Sequence, residues 1–194
     1  MIKKILLDES ELRFGVVDLP CLIHGKDKAG ASLFTVTLVA SLYAQGKRMV
    51  FLSGYPMARD ELIEQIGKSD DLVIFDPSVS IDKVNKSRAV FILKDEVEYF
   101  PKIVKGLIDI DEWVVLIKNI DLFSEREYRV VENHKKSILS GNLDKCSYKD
   151  LILKREFESR VFFSECSDFD VPRLNKYKGY FVSREQSGSV KVVI

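Results

Sequence analysis

The sequence predicts an α/β fold, a mainly parallel sheet flanked by helices with a β-hairpin near its C-terminal end. Three observations carry this. Short apolar runs alternate with longer helical stretches, the order of βαβ units. The runs are apolar at consecutive residues rather than alternate ones, as in strands buried on both faces. Glycine follows two of the helical stretches, at Gly46 and Gly67, where a C-terminal stop is expected. A chain of 194 residues suits one domain, 1–194, able to bury about 70% of its unfolded surface.

The elements run in order along the chain. Cys21 to Gly25 reads as the first buried strand, and Ala31 to Gln45 as a helix. Arg48 to Ser53 is the next strand, Arg59 to Ile66 a short amphipathic helix, and Leu72 to Phe75 a strand. Ala89 to Leu93 is either a strand or the start of a helix, being too short for periodicity to decide. Val97 to Ile108 reads as a helix with Pro101 in its first turns. Trp113 to Ile117 is the strongest central strand. Glu125 to Leu139 reads as a charged helix, Tyr148 to Glu156 as another, and Arg160 to Ser164 as a strand. Gly179 to Arg184 and Ser189 to Ile194 flank a Glu185–Gly188 turn, a hairpin closing the sheet edge.

Composition narrows the function classes. Lysine plus arginine equals aspartate plus glutamate, 30 against 30, so no bulk charge calls for nucleic acid or a membrane surface. Cys21, Cys146 and Cys166 are too widely spaced for a metal knuckle and odd in number, which fits reduced structural thiols. His24 and His134 do not form a metal motif. Asp8 interrupts the first apolar stretch, so no signal peptide is expected. The longest mostly apolar run, Ala31 to Ala44, is short of the roughly 20 residues that span a bilayer. The expected location is the cytoplasm. Ser187-Gly188-Ser189 lacks the spacing of a nucleophile elbow. Asp168-Phe-Asp170 and Asp109-Ile-Asp-Glu112 read as solvated acidic turns.

The stretch that carries chemistry is Gly25-Lys-Asp-Lys-Ala-Gly-Ala-Ser32, between an apolar strand and a helix. Backbone N–H groups of such a loop, with the helix N-terminus, can cradle a phosphate. The spacing matches G-x-x-x-x-G-K-[ST] at Gly25, Gly30 and Ser32, but Ala31 holds the lysine position. Lys26 and Lys28 are the cations within the loop. Candidate phosphate-binding residues are therefore Gly25, Lys26, Lys28, Gly30 and Ser32. The plainer reading is a tight turn that needs two glycines.

On these residues and this order of elements, most of the chain resembles the RecA superfamily, and within it the KaiC-like P-loop ATPases. Leu22 to Ser32 looks like the Walker A region and Trp113 to Phe123 like the Walker B strand. Val161 to Glu165 looks like the sensor strand. Lys26 stands where deviant P-loops of the MinD and ParA kind carry an extra lysine. The resemblance implies a catalytic glutamate just after the second strand, where Gly54-Tyr55-Pro56 stands. It implies a metal-side aspartate at the end of the central strand, where Lys118 and Asn119 stand, with Asp121 late. Asp76, after Leu72-Val-Ile-Phe75, is the alternative metal-side carboxylate. These departures lead to the expectation of a pseudo-ATPase, an assembly or regulatory module in a homo-oligomer or beside another RecA-like protein. No cofactor is expected on this reading. Two alternatives remain: an active protein binding ATP and Mg²⁺ through non-standard lysines, and a nucleic-acid-binding module. For the last, Arg173, Lys176, Tyr177, Lys178 and Arg184 interleave charge with an aromatic ring. The same stretch also suits a solvated edge.

Overall fold

The computed structural model describes residues 5–7, 18–67, 70–96, 100–108, 113–169, 171, 174, 178–183 and 187–192. Among them, seven strands run parallel. In spatial order these are β8 (Ser159–Phe162), β2 (Cys21–His24), β7 (Ser137–Gly141), β6 (Val114–Lys118), β3 (Met49–Ser53), β5 (Ala89–Leu93) and β4 (Leu72–Ile74). Beyond β8 the sheet turns antiparallel through β9 (Lys178–Ser183), β10 (Ser187–Val192) and β1 (Ile5–Leu7).

The continuous apolar runs make sense once both faces are covered. Side chains of a strand alternate between faces, so each run divides into two cores. Cys21 and Ile23 of β2, Phe51 of β3, Leu116 of β6 and Ile138 of β7 face α1 (Ala31–Ala44) and α2 (Met57–Ile66). Leu22, Val50, Leu52, Val115, Ile117 and Leu139 face the other way. There they meet α3 (Ile81–Lys86), α4 (Phe100–Ile108), α5 (Glu125–Arg129) and α6 (Lys149–Leu153), through Val84, Val104, Tyr128 and Ile152. Pro101 is the second residue of α4, where its missing N–H costs no helical bond.

The structure corrects the sequence reading at two places. The predicted helix over 125–139 is only the five residues of α5. The chain then straightens into β7, which lies between β2 and β6. Two local features favour the helical reading. Ser124 and Glu127 form a capping box, and Arg129 pairs with Glu125 one turn back at 2.7 Å. Ser-Ile-Leu-Ser in turn carries little strand signal, because its serines are buried on partners distant in sequence. Ser140 Oγ lies 2.7 Å from Thr35 Oγ1, and Ser137 Oγ accepts from Arg155 at 2.6 Å. Second, β1 lies outside the hairpin, so the hairpin is not the sheet edge. The strand read at 160–164 is β8, on the side of β2 away from β7. The ambiguous run 89–93 is a strand.

Arg155 holds the chain entering β7. Its guanidinium donates to the His134 carbonyl at 2.7 Å and to Ser137 Oγ, and it lies over the Phe157 ring at 5.2 Å. Replacing it leaves buried acceptors unpaired. Arg155→Ala is expected to lower the unfolding free energy by about 2–4 kcal/mol, read from urea denaturation. A loss below about 0.5 kcal/mol would show that these contacts do not hold β7 in place.

Candidate phosphate-binding cleft

Strand β2 ends at His24, the chain turns through 25–30, and α1 begins at Ala31. A Cβ on Gly25 would lie 2.5 Å from the Ala31 Cβ and 3.2 Å from that of Phe163, so the turn closes this tightly only with glycine. Gly30 caps α1 with φ 113°, a left-handed conformation that glycine adopts without a Cβ clash. No side chain caps α1 and no acidic residue stands in its first turn. Its first N–H groups have no partner within the helix, and its positive dipole end opens into the cleft.

The loop is fastened on both sides. Gly25 N–H donates to the Gly141 carbonyl at 3.2 Å, and Lys26 N–H to Ser164 Oγ at 3.0 Å. Lys26 Nζ lies 3.5 Å from Asp144, and Lys145 Nζ lies 3.1 Å from Asp27. Behind the loop, His24 is wholly buried. Leu143 N–H donates to its Nδ1 at 3.1 Å, so Nε2 carries the proton. That nitrogen faces the Glu165 carbonyl at 3.2 Å and Ser164 Oγ at 3.1 Å. Burial lowers the His24 pKa below its ordinary 6.5.

The loop forms one wall of a cleft of about 410 Å³; α2 and the ends of β6 and β7 form the others. The placement of two residues at the strand ends is set by the alternation. Lys118 comes two residues after Leu116, and so falls on the α1/α2 face. Its side chain is 3% exposed and its ammonium is ion-paired with Glu61 of α2. Burial lowers the Lys118 pKa, and the pairing with Glu61 pushes it back up. Ser140, two residues after Ile138, meets Thr35 of α1 on the same face. Glu61 Oε2 also receives the Ser32 hydroxyl at 3.3 Å. Asp121 Oδ1 accepts the Asn142 N–H at 3.0 Å, and a Cβ on Gly141 would lie 2.6 Å from it.

The fold therefore gathers Gly25, Lys26, Lys28, Gly30 and Ser32 around one cleft. Asp76 is not among them. It comes after β4, an edge strand separated from β2 by β5, β3, β6 and β7, about 24 Å away at the usual strand spacing. Its carboxylate accepts the Ser78 N–H at 2.7 Å and the Ser78 hydroxyl, which hold its pKa low in an ordinary turn. Asp76 is therefore not a metal-side carboxylate of this cleft. Arg173, Lys176, Tyr177 and Arg184 lie outside the described residues, and Lys178 is the first residue of β9. Glu61 escaped the sequence reading because a glutamate on an amphipathic helix gives no sign of what it faces. Ser140 escaped it because β7 read as helix.

No family model matches the chain, and no curated protein matches it. Solved structures do. The genome packaging NTPase B204 of Sulfolobus turreted icosahedral virus 2 in complex with AMP superposes with a TM-score of 0.63 at 10% identity, covering 91% of this chain and 98% of that one. Its complex with AMPPCP gives 0.60 at 11% identity, covering 91% and 98%. ATPases 2 and 3 of EssC from Geobacillus thermodenitrificans give 0.54 at 12% identity, over 89% of this chain and 36% of that one. The chain has the P-loop NTPase fold. No helix among the described residues is long and apolar enough to cross a membrane.

This fold implies a Mg²⁺ ion beside the loop, and the cleft residues do not fit one. The Lys118 ammonium stands at the end of the central strand, where the resemblance implies a carboxylate. An ammonium at that place offers a divalent ion no lone pair and repels it. Glu61 is already engaged by Lys118 and Ser32, and Asp121 by Asn142. Among the described residues, the group of three ligand-type side chains close enough to share an ion is Asp144, Cys166 and Asp168. It lies outside the cleft lining, and Lys149 pairs with Asp168 at 2.9 Å.

The His24 clamp gives a pH dependence. A histidine with a lowered folded pKa stabilises fully above its unfolded pKa, and the contribution is lost as pH falls through that value toward the folded one. Stability is expected to decline as pH drops below about 6.5, and His24→Gln is expected to flatten that slope. Urea midpoints across about pH 7.5 to 5.5 check this, and equal slopes in both proteins would refute it.

Proposed function

We propose that this chain is a RecA-like P-loop protein that binds nucleotide polyphosphate at the 25–32 loop without hydrolysing it, and acts as an assembly or regulatory module. The observation that carries the reading is an exchange of charges in one cleft. Ala31 stands at the motif lysine position, and Lys118, in the same cleft, stands where the RecA resemblance implies the metal-side carboxylate. Phosphoryl transfer needs a cation bridging the β- and γ-phosphates and a group orienting the attacking water. The loop supplies N–H donors and Lys26 and Lys28, which suit binding. Glu61, the carboxylate that faces Lys118, is engaged by Lys118 and Ser32, which suits neither metal binding nor water activation. B204, whose structures hold AMP and AMPPCP, supports nucleotide as the ligand class. A module of this kind keeps the ATP-facing surface through which RecA-like domains associate, so its partner is another copy or an active relative.

Calorimetry with ATP is expected to show micromolar binding, weakened about tenfold in Lys26→Ala/Lys28→Ala. Phosphate release is expected to stay at the level of a protein-free control. No heat at millimolar ATP would remove the nucleotide from this reading. Steady phosphate release abolished by Ser32→Ala would make the protein a working ATPase.

A further inference from the structure

We infer that the cleft takes its polyphosphate without a divalent cation, with Lys118 supplying the charge from within the chain and Glu61 holding that charge until the ligand arrives. This rests on the nucleotide-binding reading of the loop. An anion already sits in the cleft, and it belongs to the chain itself. Glu61 Oε2 receives both the Ser32 hydroxyl at 3.3 Å and the Lys118 ammonium. A serine hydroxyl of the loop and a cation from the central strand thus converge on one carboxylate oxygen, beside an uncapped helix N-terminus. A phosphate oxygen is likewise an anionic acceptor for a hydroxyl and an ammonium.

Burial separates the roles of the two partners. Lys118 is 3% exposed and fixed by its strand, so it stays in the cleft whatever occupies it. The Glu61 side chain is 42% exposed on α2 and can turn to solvent at little cost. Leaving Lys118 buried without a partner is costly, so the carboxylate departs only when another anion replaces it. The exchange keeps the buried ammonium paired and hands Ser32 to the ligand. A Mg²⁺ ion carried in with the nucleotide would meet the ammonium at close range and be repelled. Free polyphosphate, not its magnesium complex, is therefore the preferred form.

The test is calorimetric titration of the full chain with ATP and with inorganic tripolyphosphate, once with EDTA and once with excess Mg²⁺. Wild type is expected to bind in EDTA at least as tightly as in Mg²⁺. Lys118→Met is expected to weaken binding by about tenfold or more, while Lys118→Arg stays within about threefold of wild type. Glu61→Gln is expected to tighten it by about three- to tenfold, because the internal competitor has lost its charge. Thermal melts check each variant, and Glu61→Gln decides the matter if Lys118→Met does not fold. Binding about tenfold tighter with Mg²⁺, full affinity in a folded Lys118→Met, or unchanged or weaker affinity in Glu61→Gln would each overturn the inference alone. Failure of wild type to bind either ligand in either buffer would overturn the nucleotide-binding reading and this inference with it.

Discussion

A parallel sheet brings the carboxyl ends of its strands to one edge, and the cleft exists because of that constraint. Strands β2, β7 and β6 are neighbours, so the segments leaving their carboxyl ends meet in space. After β2 comes the glycine loop, β7 ends at Gly141, and β6 ends at Lys118. Gly141 is the hinge of this arrangement. Its carbonyl holds the loop, and its missing side chain lets the turn after β6 close against it. Had β7 been the outer part of a helix, the loop and Lys118 would have had no common wall.

The electrostatics arise from the same alternation that builds the core. Side chains of β6 divide between two faces, and Lys118 falls on the one covered by α1 and α2. A lysine there is buried, and a buried ammonium needs a partner. Glu61 supplies it, and in doing so ties α2 across the mouth of the cleft. The pair is thus a consequence of packing as much as of function. It also means that the charge facing the loop is set by a residue 57 positions earlier in the chain.

The loop's other anchors lie behind it. His24, Ser164 and the Lys26 N–H form a chain of hydrogen bonds from the end of β2 to the segment after β8. The neutral tautomer is required, because Nδ1 must accept from Leu143 while Nε2 donates. Burial favours that uncharged state, so packing and hydrogen bonding select the same form of the ring. These hydrogen bonds hold the loop from behind while its lysines remain at the surface.

The sequence by itself determined the α/β class, the strand–loop–helix unit at 21–44 and the loop residues that gather at the cleft. These are local: an apolar run, a glycine where the backbone has little room and a helix stop are all set by near neighbours. The tertiary structure decided the rest. Ser137–Gly141 became a strand because Thr35 and Arg155 satisfy its buried serines, and those partners are distant in sequence. Asp76 was removed from the site by strand order, which no local pattern encodes. Glu61 entered it because α2 packs beside α1, and the position of one helix against another depends on the whole core. Local steric and hydrogen-bonding rules fix which element forms, whereas which elements meet is fixed by burial shared across the entire sheet.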